Sequence, residues 1–315
     1  MNVVMTAPRL APQAVAVLHA AGATLHYMDP FPDAAAVAAR AGQVDATAIL
    51  SRQGPVTAAA MDAAPGLRII ARHGVGVDDV DVAEAARRGI LVTRGPGSNT
   101  QAVAEHTLAL ILALAKDLLP LSASIAAGHW RGAATQVRDV AGLRLGLVGC
   151  GSIGQAVVRL ANAFGMVVSA YTPSGRDLPG IHRAPTLAAL LAASDVLSLH
   201  LPLLPATRHL IGTAELDRLP RGAIVVNTSR GGLIDEAALL AALDAGHVAA
   251  AGLDVFAPEP PDAANPLRRH PRVIATPHVA GVTEGSVVNM GVMAAECIAA
   301  VLLGQPVPPD RLVHP

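Results

Sequence analysis

The chain has 315 residues, a formal net charge of −1 and a hydrophobic fraction of 52%. This length allows two domains, and a balanced charge without a basic tail or stripe argues against a nucleic-acid partner. The longest uninterrupted apolar run, LALILALA at 108–115, is much shorter than a bilayer span, which argues against a membrane protein. We expect the chain to bind a small polar ligand.

The N-terminal sequence MNVVMTAPRLAPQ lacks a basic start followed by an apolar segment, so we expect no signal peptide. Cys150 and Cys297 are the only two cysteines and lie far apart in sequence. They provide neither a disulfide framework nor the spacing of metal ligands. The expected location is the cytoplasm, and no metal site is expected.

Residues 1–93 alternate short apolar runs with Ala-rich helical stretches, which predicts a parallel α/β sheet. Ser98, with Gln101 three residues later, predicts a helix start with Ser98 as its N-cap. The sequence that follows, AVAEHTLALILALAKDLL, is apolar nearly all round. Such a helix is normally buried, and we expect it at a domain or subunit interface.

A second alternating series starts at Leu143 and ends near Gly281, and a last helix is expected over about 284–303. The series opens on an apolar run, the glycines Gly149, Gly151 and Gly154, and then a helical pattern. In a dinucleotide site these glycines permit the tight turn, the approach of the pyrophosphate and close helix–strand packing. A second strand, MVVSAY, follows the helix, so we favour a dinucleotide site over a plain strand–helix turn.

Three further apolar runs each end in a residue with useful chemistry. GAIVVNTSR ends at Arg230, VAAAGLDVFAPEP carries Asp254 and Glu259, and RVIATPH ends at His278. Because the carboxyl ends of the strands border the ligand crevice in an open α/β sheet, these side chains are expected to converge.

The three side chains suit the reduction of a ketone by hydride transfer. A histidine can supply the proton that the ketone oxygen needs, and a neighbouring glutamate orients the ring and favours its protonated form. An arginine can bind a carboxylate through two hydrogen bonds. Singly, each residue has a structural alternative, namely a core histidine, a solvated loop glutamate and a surface arginine; the combination predicts the chemistry.

Seven motifs follow one another along nearly the whole chain: RHGVGVDDVDVAEAARRGI, SNTQAVAEH, GLVGCGSIGQ, LHLPLLPAT, VVNTSRGGLIDEAAL, GLDVFAPEP and ATPHVAG. Their order and spacing are more specific than any one of them. In these motifs the chain resembles the D-isomer-specific 2-hydroxyacid dehydrogenases, which include glyoxylate/hydroxypyruvate reductases and 3-phosphoglycerate dehydrogenase.

The resemblance implies an α/β fold with two Rossmann-like domains, each with a parallel sheet, and an active site in the cleft between them. The substrate-binding (catalytic) domain would comprise 1–99 plus 283–315, and the dinucleotide-binding Rossmann domain 100–282. The resemblance also implies a homodimer, which suits the apolar helix after Gln101. Since the chain stops at Pro315, no appended regulatory domain is expected.

The resemblance also implies roles for individual residues. The family's catalytic residues fall on Arg230, Glu259 and His278, and the amides that bind the substrate carboxylate, alongside Arg230, fall on Val75 and Gly76. The implied cofactor contacts are Gly149, Gly151, Ser152, Ile153, Gly154, His200, Pro202, Thr207, Thr228, Asp254 and His278.

Two positions depart from the family pattern, which often has Asn where Arg94 and Asp79 stand. Arg94 is either a surface substitution, which we favour, or an added cation in the substrate cleft. A phosphorylated substrate would need a basic cluster, for which Arg52, His73 and Arg94 are the candidates. We therefore expect glyoxylate or hydroxypyruvate ahead of 3-phosphoglycerate.

The stretch VVSAYTPSGR has Thr172 where a dinucleotide-binding unit usually places an acidic residue. That carboxylate would bind the adenosine ribose hydroxyls and repel a 2′-phosphate, so its loss removes the discrimination against NADP. Ser174 can donate to a phosphate oxygen and Arg176 can pair with its charge. NADP(H) is the favoured cofactor, and NAD(H) is the alternative if Arg176 points into solvent.

Two other functions compete with this interpretation. A formate dehydrogenase has no hydroxyl proton to move, so a Glu–His pair would have less to do there. A dinucleotide-sensing protein related to the co-repressors would bind the cofactor without turnover, but the sequence carries no added recognition tail.

Overall fold

The computed structural model describes residues 1–173, 175, 178 and 180–314. The chain divides into two compact units, one formed by Met1–Asn99 with Val282–Pro315 and the other by Thr100–Gly281. Each unit is an α/β structure built on one parallel sheet, which confirms the predicted fold class.

The strands are β1 (Asn2–Met5), β2 (Thr24–Tyr27), β3 (Ala48–Ser51), β4 (Ile69–Arg72), β5 (Leu91–Thr93), β6 (Arg144–Val148), β7 (Val167–Tyr171), β8 (His182–Arg183), β9 (Val196–Leu199), β10 (Ala223–Asn227), β11 (Val248–Leu253) and β12 (Val273–Ala275). The helices are α1 (Pro12–Ala20), α2 (Ala34–Gln43), α3 (Ala58–Ala63), α4 (Val82–Arg87), α5 (Thr100–Ala115), α6 (Leu118–Ala126), α7 (Ser152–Ala163), α8 (Leu187–Ala192), α9 (Thr213–Leu216), α10 (Glu236–Asp244) and α11 (Glu284–Leu302).

The first unit has a five-stranded sheet in the order β2-β1-β3-β4-β5, with every pair parallel. Successive side chains of a strand point to opposite faces, so a central strand covered on both faces is apolar throughout. In β1, Val3 and Met5 pack on the face that carries α1 and α11, whereas Val4 packs on the face that carries α2 and α3.

Helix α11 is long and apolar enough, by length and composition, to cross a bilayer. Half of its apolar window is buried within the structure, where the helix packs against α1, β3 and β4. The apolar character of α11 is therefore accounted for by the core of the first unit.

The second unit has a seven-stranded sheet in the order β12-β11-β10-β9-β6-β7-β8, again with every pair parallel. The strand order reverses between β6 and β9, because the chain adds β7 and β8 on one side and β9 to β12 on the other. Helices α5 and α7 cover one face, and α8, α9 and α10 cover the other. Crevices at such a reversal are where open α/β sheets bind ligands.

The prediction that the helix after Gln101 is buried is confirmed, whereas its place at a domain or subunit interface stays a prediction. In α5 the apolar side chains pack against α7 and the sheet of their own unit, through Leu108, Ile111 and Leu114 among others. The helix is apolar nearly all round because it is a core helix.

The predicted cap of the same helix was wrong. The Ser98 hydroxyl donates to the carbonyl oxygen of Gly95 at 2.7 Å and so closes a turn, and the helix starts two residues later, at Thr100. Gln101 donates to Glu105 along the helix at 2.8 Å. The sequence has the pattern of a capping box, but the Ser98 hydroxyl makes a hydrogen bond within a tight turn instead of capping the helix.

His73 is a buried histidine that follows β4 and is only 5% exposed. Its ring lies beside Gly291 of α11, and its backbone N–H donates to Ser51 at 2.8 Å. Burial, and next the charge of Arg52, lower the pKa of His73 to about 4. The ring is therefore uncharged at neutral pH.

We expect His73 to make the first unit sensitive to acid. The unfolded chain binds the proton near the ordinary pKa of 6.5 and the folded chain only near 4. The contribution of His73 to stability is therefore complete above 6.5 and is lost as the pH falls toward 4. Between about pH 7 and about pH 4.5 this loss amounts to about 2 kcal/mol.

Urea unfolding followed by circular dichroism measures this loss. The variant His73→Ala should lose less free energy of unfolding on acidification than the wild type. His19→Gln, which changes an exposed histidine of α1, should behave as the wild type does. An equal acid loss in His73→Ala and the wild type would contradict the assignment.

Candidate active site

The glycine loop connects β6 to α7 at the point where the strand order reverses. Gly149 has a φ of +89°, and a Cβ there would run into the carbonyl of His200 and lie 2.7 Å from the Leu201 side chain. A Cβ on Gly154 would lie 3.0 Å from the Gly149 carbonyl oxygen. These two glycines are required by contacts within the protein.

Gly151 differs, since a Cβ there would have no protein atom within 4 Å. Packing does not require this glycine, so the space in front of the loop is open to a ligand. Gly151 is also the N-cap of the twelve-residue helix α7, and it offers no side chain to the N–H groups of the first turn, which starts with Ser152 and Ile153. Unpaired N–H groups at a helix start favour an anion, so the loop fits the pyrophosphate of a dinucleotide.

The end of β9 lies beside this loop and carries His200. Its Nε2 is 3.0 Å from the Ser198 hydroxyl, and its Nδ1 is buried without a hydrogen-bond partner. Burial lowers the pKa of His200 to about 4, so the ring is neutral at pH 7. A buried polar atom without a partner next to the glycine loop is consistent with a site that a ligand completes.

Further residues assigned to the cofactor occupy neighbouring strand ends. Pro202 is exposed. The Thr207 hydroxyl closes its own turn, accepting from the Leu204 N–H at 2.7 Å and donating to the Pro202 carbonyl at 2.8 Å. Thr228 is buried, and its hydroxyl lies 2.9 Å from that of Thr107 in α5. Their cofactor contacts stay predictions.

Thr172 directly follows β7 and is buried, and its carbonyl accepts the N–H of Gly175 at 3.1 Å. The structure therefore places a threonine at the strand end next to β6, where the sequence located the missing carboxylate. Ser174 and Arg176 lie outside the described residues.

Arg230 stands at the start of a short 3-10 turn, Gly231–Leu233, just beyond β10. Asn227 fixes this segment, because its Nδ2 donates to the Arg230 carbonyl at 2.9 Å and its Oδ1 accepts the Ser229 N–H at 3.0 Å. The Ser229 hydroxyl donates to Leu199, at the end of β9, at 2.8 Å. The backbone that carries Arg230 is thus held to two neighbouring strands.

Glu259 and His278 form a hydrogen-bonded pair, with 2.7 Å between Glu259 Oε2 and His278 Nδ1. The other carboxylate oxygen accepts the Phe256 N–H at 3.0 Å. Burial alone would raise the pKa of Glu259. Three neighbours outweigh burial and lower it, namely His278 through its hydrogen bond and charge, the Phe256 N–H, and the charge of Arg230. The net pKa therefore lies below the ordinary 4.5. The structure brings the three predicted catalytic residues together.

Asp254 follows β11 and organises the loop that carries His278. Its carboxylate accepts hydrogen bonds from the Thr276 hydroxyl at 2.6 Å and from the N–H groups of Val279 at 2.9 Å and Ala280 at 2.8 Å. Its carbonyl accepts the His278 N–H at 2.8 Å. The structure shows these contacts of Asp254, whereas the contact with a cofactor stays a prediction.

Val75 and Gly76 lie in the first unit, in the loop after β4. Arg72 fixes this loop, since its Nε donates to the Gly76 carbonyl at 2.8 Å and its Nη1 lies 2.9 Å from Asp79 Oδ2. Asp79, where the family often has Asn, therefore has a positive partner. Arg94, the other departure, is exposed.

Sequence reasoning missed two residues that shape these loops. Thr276 links Asp254 to His106 of α5, whose Nε2 lies 3.1 Å from the Thr276 hydroxyl. Arg72 anchors the Val75–Gly76 loop. Each is a polar residue at the end of an apolar strand, which is the signal that could have revealed it. Among the residues that the structure describes, no group of three or more His, Cys, Asp or Glu could hold a metal ion.

Comparison with known proteins agrees with these features. The profile of the D-isomer specific 2-hydroxyacid dehydrogenase, NAD binding domain, matches residues 108–280. The D-3-phosphoglycerate dehydrogenase of Mycobacterium tuberculosis is 40% identical over 312 residues, which is 98% of this chain and 58% of that enzyme. The hydroxypyruvate reductase of Thermotoga maritima is 41% identical over 249 residues, which is 77% of this chain and 80% of that enzyme.

The structure is similar to that of the NADPH-dependent glyoxylate/hydroxypyruvate reductase of Sinorhizobium meliloti, with a TM-score of 0.85 and 31% identity over 99% of this chain and 97% of that one. The chain spans about half the length of the D-3-phosphoglycerate dehydrogenases it matches, between 48% and 58%. The profile match covers more than half of the chain. The structural match to the Sinorhizobium meliloti reductase, which covers nearly the whole of both chains, agrees with it. The chain therefore belongs to the D-isomer specific 2-hydroxyacid dehydrogenase family.

Proposed function

We propose that this chain catalyses reversible hydride transfer between a nicotinamide cofactor and a small 2-oxo acid, giving the D-2-hydroxy acid. The observation that carries the proposal is the 2.7 Å hydrogen bond between Glu259 and His278, with Arg230 close enough to lower the pKa of Glu259. All three residues follow strands of the sheet that also bears the glycine loop. The Thr100–Gly281 unit would bind the dinucleotide, and the other unit the substrate.

His278 is the proposed proton donor in the direction of reduction. Its Nδ1 is bound to Glu259, so Nε2 is the ring nitrogen that can donate to the ketone oxygen. The hydrogen bond to Glu259 holds the ring in one orientation. The bound nicotinamide supplies the hydride.

Arg230 is the proposed anchor of the substrate carboxylate. Its planar guanidinium can make two parallel hydrogen bonds to a carboxylate, which would hold the adjacent carbonyl in one orientation. Its backbone is held by Asn227, so the side chain starts from a fixed point. The Val75 and Gly76 amides are proposed to bind the same carboxylate, a role that the family resemblance supports.

Glyoxylate and hydroxypyruvate are the proposed substrates, and 3-phosphoglycerate is the alternative. Of the three candidates for a phosphate site, His73 is buried and uncharged at neutral pH. Arg94 is exposed, and Arg52 is half-buried with its pKa lowered by burial and by Arg9. Because His73 carries no charge at neutral pH, one of the three candidate cations for binding a phosphate group is absent, which supports the unphosphorylated substrates. The alternative is supported by the similarity to the mycobacterial D-3-phosphoglycerate dehydrogenase.

NADPH is the proposed cofactor, with NADH used less well. The support is Thr172 at the end of β7, where a carboxylate would repel a 2′-phosphate. The similar Sinorhizobium meliloti reductase is NADPH-dependent. Ser174 and Arg176 are proposed to bind the phosphate on grounds of sequence alone.

A homodimer is proposed, with α6 and the segment after it as the contact surface. Helix α6 buries none of its nine residues within the chain. The large apolar side chains exposed in this region are Leu118, Leu119, Ile125 and Trp130. Several large exposed apolar side chains within one short segment are typical of a protein contact. This surface directly follows α5, the helix for which the sequence predicts an interface.

The proposed location is the cytoplasm, with a small-molecule substrate and with neither a nucleic acid nor a membrane as partner. The support is the near-neutral charge, the absence of a basic stripe in the sequence and the use of α11 as a core helix.

We expect the purified protein to oxidise NADPH with glyoxylate or hydroxypyruvate in a panel of 2-oxo acids. His278→Ala should lower kcat by about a hundredfold or more, the usual size of general acid catalysis. Arg230→Ala should chiefly raise KM for the 2-oxo acid. Near-normal turnover of His278→Ala would refute the assignment, and a strong preference for phosphohydroxypyruvate would reverse the order of substrates.

The cofactor proposal predicts that each of two substitutions weakens the preference for NADPH. Thr172→Asp should shift preference toward NADH, because the new carboxylate repels a 2′-phosphate and accepts from the ribose hydroxyls. Arg176→Ala should raise KM for NADPH and leave that for NADH little changed. Initial rates with each cofactor at equal concentration provide the measurement. If the wild type works better with NADH, the segment 172–176 is not a phosphate site.

The dimer proposal predicts that charges on α6 separate the subunits. Leu119→Glu combined with Ile125→Glu should give monomers in analytical ultracentrifugation, because two carboxylates would be desolvated in the contact. Leu303→Glu, at an apolar side chain that is equally exposed elsewhere in the chain, should leave the wild-type mass unchanged. A monomeric wild type, or a double variant that stays dimeric, would rule out this surface.

A further inference from the structure

Two successive backbone N–H groups in the loop after β11 donate to two different carboxylates. The Phe256 N–H donates to Glu259 at 3.0 Å, and the Ala257 N–H donates to Glu236 at 2.8 Å. Glu236 lies 21 residues earlier in the chain, in the first turn of α10. The loop that carries Glu259 is thus tied to a helix that follows the Arg230 turn.

Glu236 holds the same loop at a second point. Its other carboxylate oxygen accepts from Asn265 Nδ2 at 2.6 Å. The Asn265 Oδ1 in turn accepts the Leu267 N–H at 3.0 Å and so starts the 3-10 turn Pro266–Arg268. One carboxylate therefore joins two points of the loop, Ala257 and Asn265, with Glu259 between them in sequence.

The segment around Glu236 meets the loop at a third point. A Cβ on Gly231 would overlap the backbone of Phe256, so the two backbones are in direct contact. Residues 230–236 therefore supply Arg230, a backbone surface against Phe256 and the carboxylate that binds Ala257. This arrangement couples the position of Glu259 to that of Arg230.

The helix itself does not need the Glu236 carboxylate as a cap. Asp235 is the N-cap of α10, and its Oδ1 accepts the N–H groups of Ala237 at 3.0 Å and Ala238 at 3.1 Å. Both oxygens of Glu236 are instead directed to the loop after β11.

We propose that Glu236 and Asn265 form a positioning pair that holds the Phe256–Glu259 segment, and hence Glu259, in the place where it binds His278. Glu236 touches neither substrate nor cofactor in this proposal and acts through Glu259. The proposal deepens the proposed function, because Glu259 orients the proton donor of that reaction.

In this pair Asn265 donates and Glu236 accepts. Substitutions can exchange the donor and the acceptor between the two positions. In Glu236→Gln the new amide oxygen can still accept from Ala257, but the amide N–H₂ then faces the N–H₂ of Asn265, and two donors oppose each other. In Asn265→Asp two carboxylates oppose each other. The double variant Glu236→Gln with Asn265→Asp restores one donor and one acceptor, and the second oxygen of the new aspartate still accepts from Leu267.

We expect each single variant to lower kcat by about tenfold, as misplacement of a catalytic group does, with KM for the cofactor unchanged. The double variant should recover most of the loss, which a double-mutant cycle quantifies. In the single variants the Phe256 N–H and His278 hold Glu259 less well, so the pKa of Glu259 should rise toward its ordinary value. The acid limb of kcat/KM should then move to higher pH.

A carboxyl titration by ¹³C NMR on glutamate-labelled protein tests the same point without turnover, with Glu259→Gln to assign the signal. The midpoint for Glu259 should rise in Glu236→Gln and return toward the wild type in the double variant. Glu215→Gln is the matched control, because Glu215 also accepts a backbone N–H in the first turn of a helix of this unit. It should change neither the midpoint nor kcat.

The two readouts separate failure of this inference from failure of the proposed function. If the protein turns over 2-oxo acids but neither kcat nor the Glu259 midpoint responds to Glu236→Gln, the positioning role is wrong. A double variant no better than the single variants would also overturn it. If the midpoint responds and is rescued while no 2-oxo acid is reduced, the positioning role stands and the proposed reaction fails.

Discussion

The buried carboxylate of Asp254 is the contact on which the candidate site depends. It has no exposed side-chain surface and accepts three hydrogen bonds, all from residues between Thr276 and Ala280. A carboxylate buried without such donors would be strongly unfavourable, so the chain after β12 must close around it. This closure holds His278 at a φ of +51°, in the left-handed region that side chains other than glycine rarely adopt. The position of His278 follows from the need to satisfy a buried carboxylate one strand away.

The charges at the strand ends are arranged around Glu259. Its carboxylate has His278 as a hydrogen-bond partner, lies near the guanidinium of Arg230 and accepts the Phe256 N–H, and the combined effect keeps its pKa below the ordinary range. An ionised Glu259 across the neutral range means that the imidazole always has a negative partner. The side chains of Glu259 and His278 are 36% and 49% exposed, so the pair is reachable from solvent. Such a pair is suited to passing a proton between the ring and a substrate oxygen.

Much of this molecule can be predicted from local sequence patterns. The alternation of apolar runs with helical stretches predicted two parallel α/β sheets, because strands covered on both faces must be apolar along their length. The glycines of the β6–α7 loop were recognisable because Gly149 must adopt a positive φ and Gly154 must allow close packing. Arg230 and His278 were recognisable as polar residues at the ends of apolar runs, since parallel strands bring such ends to one edge.

Other features depend on contacts between residues far apart in the chain, and no local pattern specifies them. The apolar sequence of α5 does not specify which elements the helix packs on, and only the structure shows that it packs against α7 and the sheet of its own unit. Ser98 has the sequence pattern of an N-cap, yet its hydroxyl donates to the carbonyl oxygen of Gly95. The partners of Asp254 and Glu236 lie 21 to 29 residues away. The sequence by itself determined the type and order of the elements, because these follow from short-range periodicity. Only the tertiary structure decided which buried polar groups pair, because that depends on which strand ends the sheet brings side by side.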